Sequence, residues 1–139
     1  MTSSLSAAER DLLDAARQAR TRAYAPYSRF LVGAALRTST GAVFTGANVE
    51  NAAYPATLCA ERVAVGTAVA SGSRSFAQIA VIGTGRAVCT PCGMCRQVLN
   101  EFAPHIEVLA ASEDGEVARF VLDRDLLPSG FGPEALEDL

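Results

Sequence analysis

The chain has 139 residues, of which half are hydrophobic and 19% are charged, and its formal net charge is −3. This composition predicts one domain over residues 1–139 with a packed core, and it argues against disorder and against a nucleic-acid polymer as partner, which would require a basic face. No apolar stretch is long enough to span a bilayer and the first six residues lack a secretory pattern, so we expect a cytoplasmic protein without a membrane partner.

The first half of the chain predicts a helix, a hairpin and a second helix. SAAE at residues 6–9 is a capping box with Ser6 as N-cap, and apolar spacing continues this helix to about residue 23, before Pro26. The apolar runs at residues 30–36 and 42–49 predict two strands, separated by the turn residues TSTG at 38–41. A second helix opens at residue 57 or 58 and ends near residue 71.

The second half predicts a strand at residues 78–83, a helix from residue 92 to residue 102, and strands at 106–111 and 117–122. A short helical turn follows residue 123. The resulting order αββαβαββ predicts an α/β fold, a three-layer α/β/α sandwich with a five-stranded mixed sheet. Ligands gather at the loops that end the strands of such a sheet.

Three of the four cysteines lie in two short motifs, CAER at residues 59–62 and PCGMC at residues 91–95. Both motifs start predicted helices, where free backbone N–H groups and the helix dipole favour a thiolate. Cys92 and Cys95 are three residues apart, so both can face one ion, and Cys59 would add a third sulfur. Three protein ligands would leave one tetrahedral position of Zn²⁺ open for water, which is typical of a catalytic site.

Two charged residues follow Cys59 directly. Glu61 lies near enough to the predicted metal centre to take a proton from water and pass it to a substrate. Three thiolates with Zn²⁺ carry a net negative charge, and Arg62 could offset it by hydrogen bonding to a thiolate.

The cysteine pattern alone leaves other interpretations open. Cys92 and Cys95 also fit a structural zinc site with Cys89 as the fourth ligand, or a redox pair. A redox pair would not explain Cys59 or Glu61. We interpret Cys89 as a small apolar or surface thiol, since free cysteines usually pack as hydrophobic residues.

A family resemblance runs through most of the chain. Its segments are PYSRFLVGAA at residues 26–35, NVENAAY at 48–54, CAER at 59–62, PCGMCRQVL at 91–99 and LLPSGF at 126–131. Together they resemble the small, homotetrameric, zinc-dependent cytidine deaminases; the cysteine motifs mark the wider deaminase superfamily and the NVEN segment narrows it to nucleosides. The resemblance implies hydrolysis of cytidine and 2′-deoxycytidine to uridine and 2′-deoxyuridine with release of ammonia, in pyrimidine salvage.

The resemblance also implies residue roles at the metal. Cys59, Cys92 and Cys95 correspond to the zinc ligands and Glu61 to the general acid and base. The backbone of Ala60 would hydrogen-bond the pyrimidine.

The remaining substrate contacts are implied in the same way. Phe30 would pack against the base, and Asn48 with Glu50 would hold the 3′ hydroxyl, to which they offer both a donor and an acceptor. Both ribose and deoxyribose carry that hydroxyl, so both nucleosides should be accepted. Tyr54 and Phe131 would reach into a neighbouring subunit's site, so that each site of a homotetramer is completed by its neighbours.

Three rival functions remain at this stage. The first is a deaminase of a cytosine nucleoside antibiotic such as blasticidin S, which shares the zinc motifs. The second, a polynucleotide-editing deaminase, is disfavoured by the acidic balance. The third is a non-catalytic, zinc-stabilised interaction module, in which Glu61 would be dispensable.

Overall fold

The computed structural model describes residues 4–137, so both ends of the predicted domain 1–139 lie outside the described residues. The helices and strands follow the predicted order αββαβαββ. They are α1 (Ala7–Arg20), β1 (Val32–Thr38), β2 (Val43–Ala47), α2 (Ala60–Ala70), β3 (Phe76–Gly83), α3 (Gly93–Phe102), β4 (Glu107–Ala111) and β5 (Val117–Val121). Single helical turns add Tyr54–Ala56, Leu122–Leu126 and Pro133–Leu136.

The five strands form one mixed sheet in the order β2-β1-β3-β4-β5. Strands β3 and β4 are parallel and are joined through α3, whereas the other neighbours are antiparallel. This arrangement confirms the predicted sheet. Within the described residues, no helix combines the length and apolarity needed to cross a membrane.

The two faces of the sheet bury different sets of side chains. Leu36, Ile79 and Val81 face α2 and α3, whereas Ala35 and Ile82 face α1. Helices therefore cover both faces, which confirms the three-layer sandwich. Strand β3 is buried on both faces, which explains its continuous apolar run.

A glycine brings the start of α2 unusually close to the sheet. A Cβ atom at Gly46 would lie only 2.3 Å from the backbone oxygen of Ala60, a separation that no side chain tolerates. Leu58 exchanges backbone hydrogen bonds with Val49, so α2 begins at Ala60 and not at residue 57 or 58 as predicted. These contacts place Cys59 at the N-cap of α2.

Strand β1 begins two residues later than predicted. The backbone N–H of Phe30 donates to Ser28 Oγ, and that of Leu31 donates to Thr84 Oγ1, so neither joins the strand ladder. An apolar run shows which residues are buried but not which partner their backbone binds. The predicted strand therefore includes part of a loop, and that loop carries Phe30.

Candidate active site

Three thiols converge where α2 and α3 begin. Cys59 and Cys92 are the N-cap residues of α2 and α3, and Cys95 lies in the first turn of α3. Their Sγ atoms all lie within 4.8 Å of one another, with Cys59 to Cys92 at 3.8 Å and Cys92 to Cys95 at 3.5 Å. A tetrahedral zinc with Zn–S bonds of about 2.3 Å requires sulfurs about 3.8 Å apart. The three cysteines are therefore positioned to hold Zn²⁺.

The environment of Cys59 favours its thiolate. Arg62 Nη2 lies 3.6 Å from Cys59 Sγ and also donates to the backbone oxygen of Thr57 at 3.0 Å. Hydrogen bonding with Cys95, and then with Arg62, lowers the pKa of Cys59 to about 5. The contact with Cys59, together with burial, raises the pKa of Cys95. Cys59 therefore gives up its proton more readily than Cys95 does.

Glu61 lies in the first turn of α2, two residues after Cys59, and only 4% of its surface is exposed. Burial raises the pKa of its carboxyl group to about 7. A carboxyl group with such a pKa can both take up and release a proton near neutral pH. Glu61 is the carboxylate that lines the cavity at the metal centre.

That cavity has a volume of about 240 Å³, which suits a small ligand. Its walls combine predicted site residues with neighbours from the same loops: Phe30, Val32, Asn48, Thr57, Cys59, Ala60, Glu61, Cys89, Thr90 and Cys92. A second cavity of about 300 Å³ adjoins it at Thr57 and is lined by Tyr27, Ser28, Glu50 and Tyr54. A larger groove of about 490 Å³ against α1 contains no cysteine or aromatic side chain.

Asn48 and Glu50 both bind the loop that carries Phe30. Asn48 donates from Nδ2 to the backbone oxygen of Phe30 at 2.8 Å, and its Oδ1 accepts from the N–H of Val32 at 2.9 Å. Glu50 Oε1 accepts from the N–H groups of residues 27 and 28 at 2.9 and 3.1 Å. Its Oε2 accepts from Ser28 Oγ, and these hydrogen bonds lower the pKa of Glu50.

The structure places Tyr54 and Phe131 outside the cysteine cavity of their own chain. Their exposed fractions are 69% and 61%. The Tyr54 ring packs edge-on against Tyr27, with ring centroids 5.7 Å apart. The backbone oxygen of Phe131 accepts from Gln97 Nε2 at 2.8 Å, which fixes the tail but leaves the ring exposed.

The family model of the cytidine and deoxycytidylate deaminase zinc-binding region matches residues 6–111, which include the three clustered cysteines and Glu61. This match covers most of the chain. The chain belongs to this deaminase family.

Relatives of this deaminase are similar over nearly their whole length. A cytidine deaminase of Halalkalibacterium halodurans is 43% identical over 128 residues, which cover 91% of this chain and 96% of the relative. A cytidine deaminase of Mycobacterium tuberculosis is 44% identical over 124 residues, 89% of this chain and 87% of the relative. The crystal structure of cytidine deaminase from Burkholderia pseudomallei superposes with a TM-score of 0.85 at 48% identity, covering 88% of this chain and 98% of that one. The predicted family and fold are confirmed.

Some residues that line the cavity of this deaminase were not among the predicted site residues. Thr57 and Thr90 line the cavity, and each stands two residues before an N-cap cysteine, a shared spacing that could have identified them. Cys89 also lines it and is half-buried, and burial raises the pKa of its thiol to about 11. Among residues 4–137, the group that could hold a metal contains only the other three cysteines. The geometry therefore gives no support to a four-cysteine structural site.

Proposed function

We propose that this protein catalyses the zinc-dependent hydrolysis of cytidine and 2′-deoxycytidine to uridine and 2′-deoxyuridine, with release of ammonia, as a step of pyrimidine salvage. One observation carries the proposal: the buried carboxyl group of Glu61 and two of the three converging thiols, Cys59 and Cys92, line the same small cavity as Phe30 and Asn48. A cavity with these groups can bind a flat polar ring and exchange protons with it.

Cys59, Cys92 and Cys95 would hold the zinc. When bound, zinc supplies a Lewis acid that makes water a nucleophile at neutral pH. Two of the sulfurs stand at helix N-termini, where the helix dipole stabilises negative charge. Arg62 lies against Cys59 and balances part of the charge of three thiolates.

Glu61 is the proton carrier of the proposed reaction. Its carboxylate takes a proton from water and delivers it to N3 of the pyrimidine. The C4–O bond forms in this first stage. Glu61 then transfers the second proton of that water to the departing amino group, as the C4–N bond breaks and C4 becomes a carbonyl carbon. Cytidine and water thus become uridine and ammonia. Burial supports this role, because it keeps the pKa of the carboxyl group near neutrality.

The base and the sugar are recognised by different groups. The backbone N–H of Ala60, at the start of α2, has no partner within the helix and can donate to the pyrimidine. The Phe30 ring forms an apolar wall for the base. Asn48 and Glu50 would bind the 3′ hydroxyl; a carboxylate has about four acceptor positions, so Glu50 can accept from a sugar while it holds its loop.

Two exposed aromatic residues, Tyr54 and Phe131, support the proposal of a homotetramer with shared sites. Tyr54 and Phe131 are large aromatic side chains that one chain leaves exposed, and such side chains typically become buried at interfaces. We assign both to the site of a neighbouring subunit. Reduced thiol ligands also favour a cytoplasmic location, where cysteines stay reduced.

The test is turnover of matched substrates by zinc-loaded protein. Cytidine, 2′-deoxycytidine and blasticidin S would be compared by ultraviolet absorbance and ammonia release, with zinc content measured per chain. The proposal predicts turnover of both nucleosides with far higher kcat/KM than for blasticidin S. Preference for the antibiotic, or no turnover by protein with a full complement of zinc, would contradict it.

A further inference from the structure

We propose that the turn formed by Gly83, Thr84 and Gly85 fixes the position of the Phe30 ring, and that Gly83 and Thr84 are positioning residues for recognition of the base. This inference rests on the proposed function, because it assumes that the Phe30 ring meets the pyrimidine. None of the three turn residues lines the cysteine cavity, so they act through Phe30 and not through the substrate.

The backbone on either side of Phe30 is held by side chains. The Thr84 hydroxyl accepts a hydrogen bond from the backbone N–H of Leu31 at 3.0 Å and donates one to the backbone oxygen of Leu31 at 3.1 Å. One hydroxyl thus satisfies both backbone groups of Leu31, next to the first paired residue of β1. Asn48 holds the oxygen of Phe30 itself. The loop therefore has little freedom where it presents the ring.

The ring of Phe30 lies in the space that two missing side chains leave. A Cβ atom at Gly83 would lie 2.8 Å from two ring carbons of Phe30 and 3.0 Å from Cys89 Sγ. At Gly85 a Cβ would lie 3.3 Å from the ring. Carbon atoms pack at about 3.5–4.0 Å, so the ring fits against Gly83 only because no side chain is present there.

The turn cannot easily retreat from an added methyl group. Arg20 Nη1 donates to the backbone oxygen of Gly83 at 2.9 Å. The backbone N–H of Glu113 donates to the backbone oxygen of Gly85 at 3.0 Å. The N–H of Cys89 is bound to Ala111 in β4 at 3.1 Å. Since the turn is tied to α1 and to the end of β4, a methyl group at Gly83 would move the ring and not the turn.

The experiment compares variants on the zinc-loaded protein. Gly83→Ala adds the clashing methyl group, whereas Gly66→Ala adds one at an exposed position of α2 with nothing within 4 Å. Neither position has a positive φ that would strain alanine. Thr84→Val removes the hydroxyl and Thr84→Ser keeps it. For each variant, kcat and KM for cytidine, the melting temperature and zinc per chain would be measured. Phe30 would be followed by NMR of ¹³C-labelled phenylalanine.

For Gly83→Ala we expect the Phe30 resonances to shift. KM should rise roughly tenfold, because the contact between the base and the Phe30 ring is partly lost, whereas kcat and zinc content should stay nearly unchanged. Thr84→Val should raise KM about threefold, and Thr84→Ser should restore it. Gly66→Ala should leave both KM and the Phe30 resonances as they are.

The outcomes separate this inference from the proposed function. Unchanged Phe30 resonances in Gly83→Ala would overturn the inference whether or not cytidine is a substrate. Shifted resonances without any turnover of cytidine by the unmodified protein would instead contradict the proposed function. If Gly83→Ala fails to fold, an equal KM for Thr84→Val and Thr84→Ser would still overturn the inference.

Discussion

The two halves of the candidate site differ in what holds them. The inner half consists of Cys59, Glu61, Cys92 and Cys95, which lie at the starts of α2 and α3. The outer half consists of Glu50, Tyr54 and Phe131, which lie on loops and single helical turns or in the tail. Regular hydrogen bonding and the buried core fix the inner half within one chain, whereas the two aromatic residues of the outer half are exposed. We propose that the inner half carries the chemistry, and that Tyr54 and Phe131 of the outer half serve assembly.

The largest expected effect is loss of the metal. Cys59→Ala removes the sulfur that α2 contributes, so zinc should fall from about one per chain to near zero, and the melting temperature should fall because the ion no longer stabilises the fold. Cys89→Ala is the matched control, because Cys89 lies near the site but outside the sulfur group. Metal analysis of both purified variants checks this. Equal zinc loss in the two variants would rule out a three-sulfur site.

The next largest effect concerns the proton carrier. Glu61→Gln keeps the size of the side chain but removes its ability to carry a proton, so kcat should fall roughly 10³- to 10⁴-fold. Zinc content and melting temperature should stay near those of the unmodified protein, because burial already disfavours the charged form of Glu61. Steady-state kinetics on cytidine measure the change, with Glu116→Gln on an exposed turn as control. An undiminished kcat would show that Glu61 is not the proton carrier.

The sequence predicted the inner half well because the signals there are local. The cysteine motifs place Cys59 and Cys92 near the starts of two predicted helices, although α2 begins at Ala60 and not at residue 57 or 58. Cys95 lies one turn after Cys92 in α3. The order of helices and strands likewise followed from apolar periodicity. The Phe30 loop was less predictable, because its backbone binds Asn48 and Thr84, which are distant in sequence. Nothing near residue 30 indicates that Gly83 has to lack a side chain.

A mixing experiment tests whether the outer half serves a neighbour. Phe131→Ala alone should lower activity roughly tenfold by removal of one aromatic contact, and Glu61→Gln alone should be almost inactive. When the two variants are co-expressed with different tags, mixed oligomers can combine an intact Glu61 with a neighbour's intact Phe131. Random mixing should restore such pairs at about a quarter of the sites.

The purified mixed oligomer would be assayed on cytidine beside each pure variant. Activity above the average of the two variants supports shared sites. Activity equal to that average would show that each site is complete within one chain, and the exposed Phe131 ring would then need another explanation.

The smallest expected effect concerns Glu9, which lies in the first turn of a helix, as Glu61 does, but has a pKa shifted in the opposite direction. Glu9 in the first turn of α1 accepts from both Nη atoms of Arg119, from Gln78 Nε2 at 3.0 Å and from the N–H of Ser6 at 2.9 Å. Arg119, followed by Ser6, holds the pKa of Glu9 well below its ordinary value of 4.5. Glu61, buried with its carboxyl group beside thiols, shifts in the opposite direction. A helix start therefore does not set the pKa of a glutamate; the hydrogen-bond donors around the carboxyl group and its burial do.

The lowered pKa of Glu9 fixes the sign of its pH dependence. Folding favours its ionised form, so its contribution to stability is complete above pH 4.5 and is lost as the pH falls toward the folded-state pKa. Glu9→Gln can keep the capping box, so at pH 7 it should cost about 1–2 kcal/mol through the lost charge alone. Thermal unfolding of both proteins from pH 7 to pH 3, with Glu101→Gln as an exposed control, should show this gap narrowing below pH 4.5. Zinc release in acid affects both proteins alike, so it cancels in the difference between their stabilities. A difference independent of pH would mean that Glu9 stabilises the fold by packing and not by charge.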